Sequence, residues 1–215
     1  MPQTIAVNED FLRTLSSGLH GLAQPLSIIS GYLELSLDDA SNGPSRELTE
    51  TLLEQSRRAS GIAQFVSQLT RFQTPAPDVA DVLVSGILEA AIEDTQRILE
   101  DAQLTLLWHR PDAEHRVSVS PSRLKQVLVH LLDAIRTVAL AGEVIHLGLK
   151  SRTDRLKLQV HLERGTATSP VRRSTEFSPI HRALTLLQAV VSNTGGTFAA
   201  STDPLFIRAE FPVTT

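Results

Sequence analysis

From Leu12 to Leu35 the chain reads LRTLSSGLHGLAQPLSIISGYLEL, with leucine or isoleucine at Leu12, Leu15, Leu19, Leu22, Leu26, Ile29 and Leu33. The intervals alternate three and four without a break, which predicts a long helix carrying an apolar seam for packing on other helices. With Leu19 at an a position, His20 falls at b, roughly 100° further round, near Ser16, Gln24 and Ser27. Its imidazole should face water or a partner. Pro25 has no N–H to give and its ring presses on the Gly21 carbonyl, so a bend is expected beside His20. Helix geometry leaves two readings open: a local site built around an exposed imidazole, or a surface histidine on an imperfect coiled coil.

This first helix should start near Asn8, a good cap followed by Glu9 and Asp10, and run to about Leu37. DDASNGP, residues 38–44, reads as a turn. A second helix restarts at Ser45 and carries Leu48, Leu52, Ala59, Ile62, Val66 and Leu69 at heptad spacing, interrupted by Gln55. It should end before Thr74-Pro75-Ala76-Pro77, the best linker candidate, so residues 1–76 form one domain and 77–215 another. Two long helices joined by a short turn make an antiparallel hairpin that leaves part of each stripe uncovered. A second copy closing a four-helix bundle is the economical cover, at ~1.5 to 3 kcal/mol per buried leucine. Packing of the hairpin on the second half of its own chain is the alternative.

Beyond residue 79 the pattern becomes mixed. A helix is expected over 82–101 and strands over 104–109 and 116–119. Ser120-Pro121 starts a helix in cap-then-proline order and continues to about Leu140. Strands follow at 144–151 and 155–163, then a loop over 165–178, a helix over 179–193 closed by Gly195-Gly196, and strands at 197–201 and 206–211.

Composition narrows the function classes. The chain has 215 residues, 41% hydrophobic, with a net charge of -4 and its basic residues scattered, which gives no basic groove for nucleic acid. Without an apolar run of about 18 residues or a basic-then-apolar leader, no membrane association is expected and the protein should be cytoplasmic. Absence of cysteine excludes disulfides, thiol nucleophiles and thiolate metal sites. The histidines at 20, 109, 115, 130, 146, 161 and 181 show no close ligand spacing, so no metal site is expected.

His20-Gly21-Leu22-Ala23-Gln24-Pro25-Leu26 resembles the H-box of sensor histidine kinases: histidine, acidic residue, hydrophobic, Arg or Asn, Thr or Gln, Pro, Leu. Gly21 stands in the acidic slot and Ala23 in the Arg or Asn slot. SPSRLKQVLVHLLDAI, residues 120–135, resembles that family's N-box helix, and NTGGTF, residues 193–198, is similar to its closing helix-to-strand turn. The resemblance runs from the first helix to the last strand. It implies an α+β fold, a long antiparallel hairpin forming a four-helix bundle on dimerisation, followed by a histidine kinase-type α/β sandwich. His20 would then be the phosphoacceptor, and Gln24 a second catalytic residue orienting water against a phosphoaspartate. Ser16, Ser17, Ser27, Ile28 and Gly31 would contact the partner, although Ile28 suits the dimer core equally well.

At the nucleotide positions the chain departs from the family. Ala134 stands where an asparagine would hold Mg²⁺, and His130 fills the earlier asparagine slot; a methyl group cannot bind a hard cation. Glu163-Arg164-Gly165-Thr166-Ala167 best matches Asp-x-Gly-x-Gly, with the aspartate as adenine acceptor, and His181-Arg182-Ala183-Leu184-Thr185 aligns with Gly-Leu-Gly-Leu-Ala. Side chains such as His181 and Arg182 would stand where backbone N–H groups should cradle the triphosphate. The expectation is therefore no cofactor: neither ATP nor Mg²⁺, the metal being supplied by the partner's receiver domain. The resemblance implies a histidine phosphotransferase of a bacterial two-component phosphorelay, passing phosphoryl groups between response-regulator aspartates through His20, with autokinase activity absent. Two alternatives stay open. One is a non-catalytic pseudo-histidine-kinase that binds and modulates a response regulator or kinase, favoured by Gly21 and Ala23. The other is a divergent active kinase, which Ala134 opposes.

Overall fold

The computed structural model describes residues 9–38, 45–74, 76–152, 154–164 and 178–214. The chain divides into two compact units, Met1–Arg71 and Phe72–Thr215.

Two long helices, α1 (Glu9–Asp38) and α2 (Arg46–Gln73), account for the first unit. Helix α1 continues unbroken through Pro25. The expected turn at 39–44 lies outside the described residues. Ser45 caps α2, its hydroxyl accepting from the Leu48 N–H at 3.2 Å. The apolar repeat of α1 divides by position. Gly18 and Pro25 are buried, Leu15, Leu22 and Ile29 half-buried, while Leu19, Leu26 and Leu33 keep 53%, 47% and 50% of their surface exposed. One neighbouring helix can cover only one flank of such a seam.

Gly18 lies where α2 comes close, since a Cβ there would sit 2.8 Å from Val66 Cγ2. Valine is stiff about χ1 and cannot swing aside cheaply. Gly18→Ala is expected to cost about 1 to 3 kcal/mol, read as a lower denaturation midpoint, and Val66→Ala in the same chain should restore most of it. Gln55, the polar break in the α2 repeat, has a buried Oε1 without a hydrogen-bond partner among the described residues. An unsatisfied buried carbonyl costs about 1 to 3 kcal/mol. Gln55→Leu should therefore raise the denaturation midpoint, the reverse of the usual effect of a core substitution.

The second unit begins with β1 (Ala80–Leu83), α3 (Val84–Asp101), β2 (Thr105–His109), β3 (Arg116–Val119) and α4 (Pro121–Val138). It continues through β4 (Val144–Ser151), β5 (Arg155–Glu163), α5 (Pro179–Asn193), β6 (Thr197–Thr202) and β7 (Leu205–Pro212). The five-stranded sheet has the order β2-β4-β5-β7-β6, with β2 parallel to β4 and the other neighbours antiparallel. Period-two alternation buries Ile145, Leu147 and Leu149 of β4 and Leu156, Leu158, Val160 and Leu162 of β5 on the face that the helices cover. Helix α4 packs against both α3 and α5 and buries Leu124, Val127, Leu128, Leu131, Leu132 and Ile135. Its Ser120 cap accepts from the Arg123 N–H at 3.2 Å. The Gly195-Gly196 pair has a steric cause: Gly195 adopts φ +72°, and a Cβ on Gly196 would collide with the Glu210 carbonyl.

One expectation needs correction. A helix is expected from residue 82, but Ala80–Leu83 form β1 in antiparallel register with β3; tertiary pairing overrides a helical pattern whose start, at Leu83, has no side-chain cap. The second compact unit begins at Phe72. Phe72 is buried, and its carbonyl accepts from Asn193 Nδ2 at 2.7 Å. The Arg123 guanidinium lies over the Phe72 ring at 5.4 Å and donates to the Thr74 carbonyl at 2.7 Å. Asp78 accepts from the Ser120 hydroxyl at 2.6 Å and the Ser122 N–H at 3.3 Å. A proline-rich stretch that reads as a linker is thus fastened to the sandwich.

Candidate functional site

On α1, His20, Ser16 and Gln24 are exposed, and Ser17, Ile28 and Gly31 are half-buried. Ser27 is exposed, but its hydroxyl donates to the Ala23 carbonyl at 3.0 Å, turning it back onto its own helix. A Cβ on Gly31 would meet nothing within 4 Å, so this glycine leaves a shallow step on the helix surface. His20 has no hydrogen-bond or ion-pair partner among the described residues. Its ring is exposed and so is not walled in by the leucine repeat. Residue 21 contributes no carboxylate to orient the imidazole or take its proton. Such a group can act as a nucleophile toward an electrophile that arrives already activated.

In the second unit the positions aligned with a nucleotide site are placed as follows. Ala134 is buried in α4, its methyl group offering no oxygen to a cation. His130 lies on the same helix; crowding by protein pushes its imidazole pKa down, with Asp133 opposing and Arg182 adding to the effect. Arg182 is half-buried, and burial lowers its pKa as well. The first turn of α5 is engaged with its own cap: Ser178 Oγ accepts from the His181 N–H at 3.5 Å and lies 3.1 Å from His181 Nδ1, while the Arg182 N–H donates to the Ser178 carbonyl at 3.1 Å. A phosphate cradle needs such donors turned toward a ligand.

Glu163, the residue matched to the adenine acceptor, is out of phase. In β5 the alternate residues Leu156 to Leu162 point toward the helices, so Glu163 points to the other face of the sheet, where its Oε2 lies 2.7 Å from His146 Nε2. Sequence spacing alone matched the acid; strand parity, legible in the same residues, would have shown its direction. Residues 165–177, including Gly165, Thr166, Ala167 and the expected loop, lie outside the described residues. No group of three or more His, Cys, Asp or Glu among the described residues is arranged to hold a metal ion.

Two long helices followed by a helix-covered mixed sheet in this order define a histidine kinase-like α+β fold. Among solved structures, the Acinetobacter baumannii histidine kinase AdeS matches with a TM-score of 0.61 at 17% identity, over 91% of this chain and 97% of its own. Histidine kinase ThkA in complex with the response regulator protein TrrA matches with a TM-score of 0.66 at 15% identity, over 93% of this chain and 60% of that one. Full-length ShkA in complex with AMPPNP matches with a TM-score of 0.56 at 14% identity, over 93% of this chain and 46% of that one. At these identities the likeness is one of fold. No protein-family model and no curated protein matches the sequence. Among the described residues, no helix is long and apolar enough to cross a membrane.

Proposed function

We propose that this chain is a histidine phosphotransferase of a two-component phosphorelay, working through His20 on response-regulator receiver domains in the cytoplasm. The observation that carries the reading is His20 itself: an exposed imidazole without a partner among the described residues, on a helix whose residues match most of a histidine kinase H-box. An unprotonated ring nitrogen attacks the phosphorus of a receiver's aspartyl phosphate. The P–N bond forms as the P–O bond to the aspartate breaks, and the carboxylate leaves with the electron pair. Reversal onto a second receiver's aspartate completes the relay. The receiver brings the Mg²⁺ and the carboxylates, and Gln24, one helical turn from His20, is placed to orient a water or a phosphoryl oxygen. Ser16, Ser17, Ile28 and Gly31 supply the docking surface around it.

Loss of nucleotide chemistry fits this division of labour. Buried Ala134 cannot hold Mg²⁺, Glu163 faces away from the helices, and the α5 amides are taken by Ser178. Metal and positioned donors supply most of the catalysis of transfer from ATP, so a chain lacking them is a poor kinase. The half-exposed Leu19, Leu26 and Leu33 fit a homodimer closed as a four-helix bundle. Gly21 and Ala23 favour a second reading, a pseudo-histidine-kinase that binds a response regulator or kinase and modulates it without transfer.

Incubating the chain with a ³²P-labelled receiver, and separately with labelled ATP and Mg²⁺, tests these readings. Label moving from the receiver to this chain and on to a second receiver is expected. Binding without transfer would establish the modulator instead, and labelling from ATP would establish a divergent kinase.

A further inference from the structure

On the sheet face away from the helices, His109 of β2, His146 of β4 and His161 of β5 form a row. His146 and His161 are cross-strand partners, with ring centroids 4.4 Å apart and planes within 1°. The His109 ring follows at 5.7 Å from His146, again parallel within 1°. Exposed Leu107 and Phe206, the register partners of His146 and His161, flank the row. Two polar contacts run along it: His146 Nε2 to Glu163 Oε2 at 2.7 Å, and His109 Nε2 to His146 Nδ1 at 3.4 Å.

The direction of these bonds follows from the carboxylate. Ionised Glu163 only accepts, so His146 carries its hydrogen on Nε2, and the Nδ1 of the neutral ring is an acceptor. His109 must then donate from Nε2, which leaves His109 Nδ1 as the free lone pair of the chain. We propose that Glu163, His146, His109 and His161 form one proton-binding element that makes attachment of the edge strand β2 depend on pH in the range where histidine titrates.

One proton fits without loss. It enters at His109 Nδ1, the hydrogen shared between the rings passes from His109 Nε2 to His146 Nδ1, and the positive charge comes to rest beside Glu163 with every hydrogen bond kept. A second proton has no such place. On His109 it sets two N–H groups against each other, and on His161 it puts like charges 4.4 Å apart by ring centroid. Desolvation is the main cause that pushes the His161 imidazole below its ordinary value; His146 and His109 add to it and Glu163 opposes.

The remaining charges on this face give the second proton little relief. Lys150 of β4 and Lys157 of β5 are directly opposed cations further along, and Arg208 and Glu210 of β7 pair with each other. Beyond the strand ends Arg164 pairs with Asp203 and Arg110 with Glu89. Helices α3 to α5 lie on the opposite face. Among the described residues strand β2 pairs with β4 alone, by Thr105–His109 against Val144–Gly148, and an edge strand opens at lower cost than the sheet centre.

The sign follows from the second proton: with β2 attached it meets opposed N–H groups at His109, and at His161 a value pushed down by burial, so as pH falls through the histidine range the opened state takes the proton first and attachment of β2 weakens. In the full chain, ring-nitrogen NMR should show His161 titrating below the ordinary histidine range. Amide protection in β2, corrected for intrinsic exchange, should fall about tenfold more than in β5 between about pH 7.5 and 5.5, the equivalent of a one-unit shift at a single site. Glu163→Gln, which keeps an acceptor but removes the charge, and His146→Gln should each flatten this difference. His161 titrating in the ordinary range, or β2 protection tracking β5 in the wild-type chain, would overturn the proposal. Because the wild-type titration alone decides, a variant that fails to fold does not rescue it.

Discussion

His20→Ala is expected to reduce phosphoryl transfer from a labelled receiver by about 10³-fold or more, because it removes the only group to which the phosphorus would be bonded in the intermediate. On the proposed reading receiver binding should change little, since the imidazole is one exposed side chain among several on this helix. Gln24→Ala should be milder, about 10-fold or less, as an orienting group one helical turn away. The pair separates nucleophile from orienter: loss of transfer with retained binding in His20→Ala, against a slowed but present transfer in Gln24→Ala. Equal transfer by wild type and His20→Ala would remove the relay reading altogether. Gly21→Glu offers the converse test. An acid added beside His20 should not bring labelling from ATP, since the Ala134 methyl offers Mg²⁺ no oxygen.

The second large effect is expected at Leu26. With 47% of its surface exposed, between Leu19 and Leu33 at one-heptad intervals, it sits mid-stripe on the uncovered flank of α1. Covering the remaining half of each leucine contributes roughly 1 kcal/mol, counted on both copies. Leu26→Asp would place a carboxylate without a partner in that seam, at a cost of several kcal/mol per charge. Light scattering should show wild type at the mass of two 23.5 kDa chains and Leu26→Asp at the mass of one. The monomer should keep its sandwich, because the second unit buries its own core in the alternate strand residues and in α4. A wild-type chain that is monomeric at high concentration would show that something other than a second copy covers the stripe.

Much of the architecture was legible in the residues. The three-four repeat of α1 and the heptads of α2 announce helices because burial on one flank imposes that period. The strict alternation of 144–151 and 155–163 announces β4 and β5 for the corresponding reason, and Ser120-Pro121 marks a helix start by its cap chemistry. Strand β1 was not legible, because its four residues become a strand only by pairing with β3, some 35 positions on. Nor was the fastening of 72–78, which depends on Arg123 and Asn193, neither of which has a sequence signature pointing to Phe72. At the candidate site, the exposure of His20 followed from its place in the heptad. The direction of Glu163 did not follow from a motif match that counted glycines and ignored strand parity.

By itself the sequence determined most of the elements and their order, since these depend on local period and caps. Tertiary structure alone decided which leucines stay uncovered, because one partner helix shields one flank of a seam. It alone decided that three histidines with no common spacing meet in a single row, because strand pairing sets neighbours at right angles to the chain, where distance along the sequence carries no information.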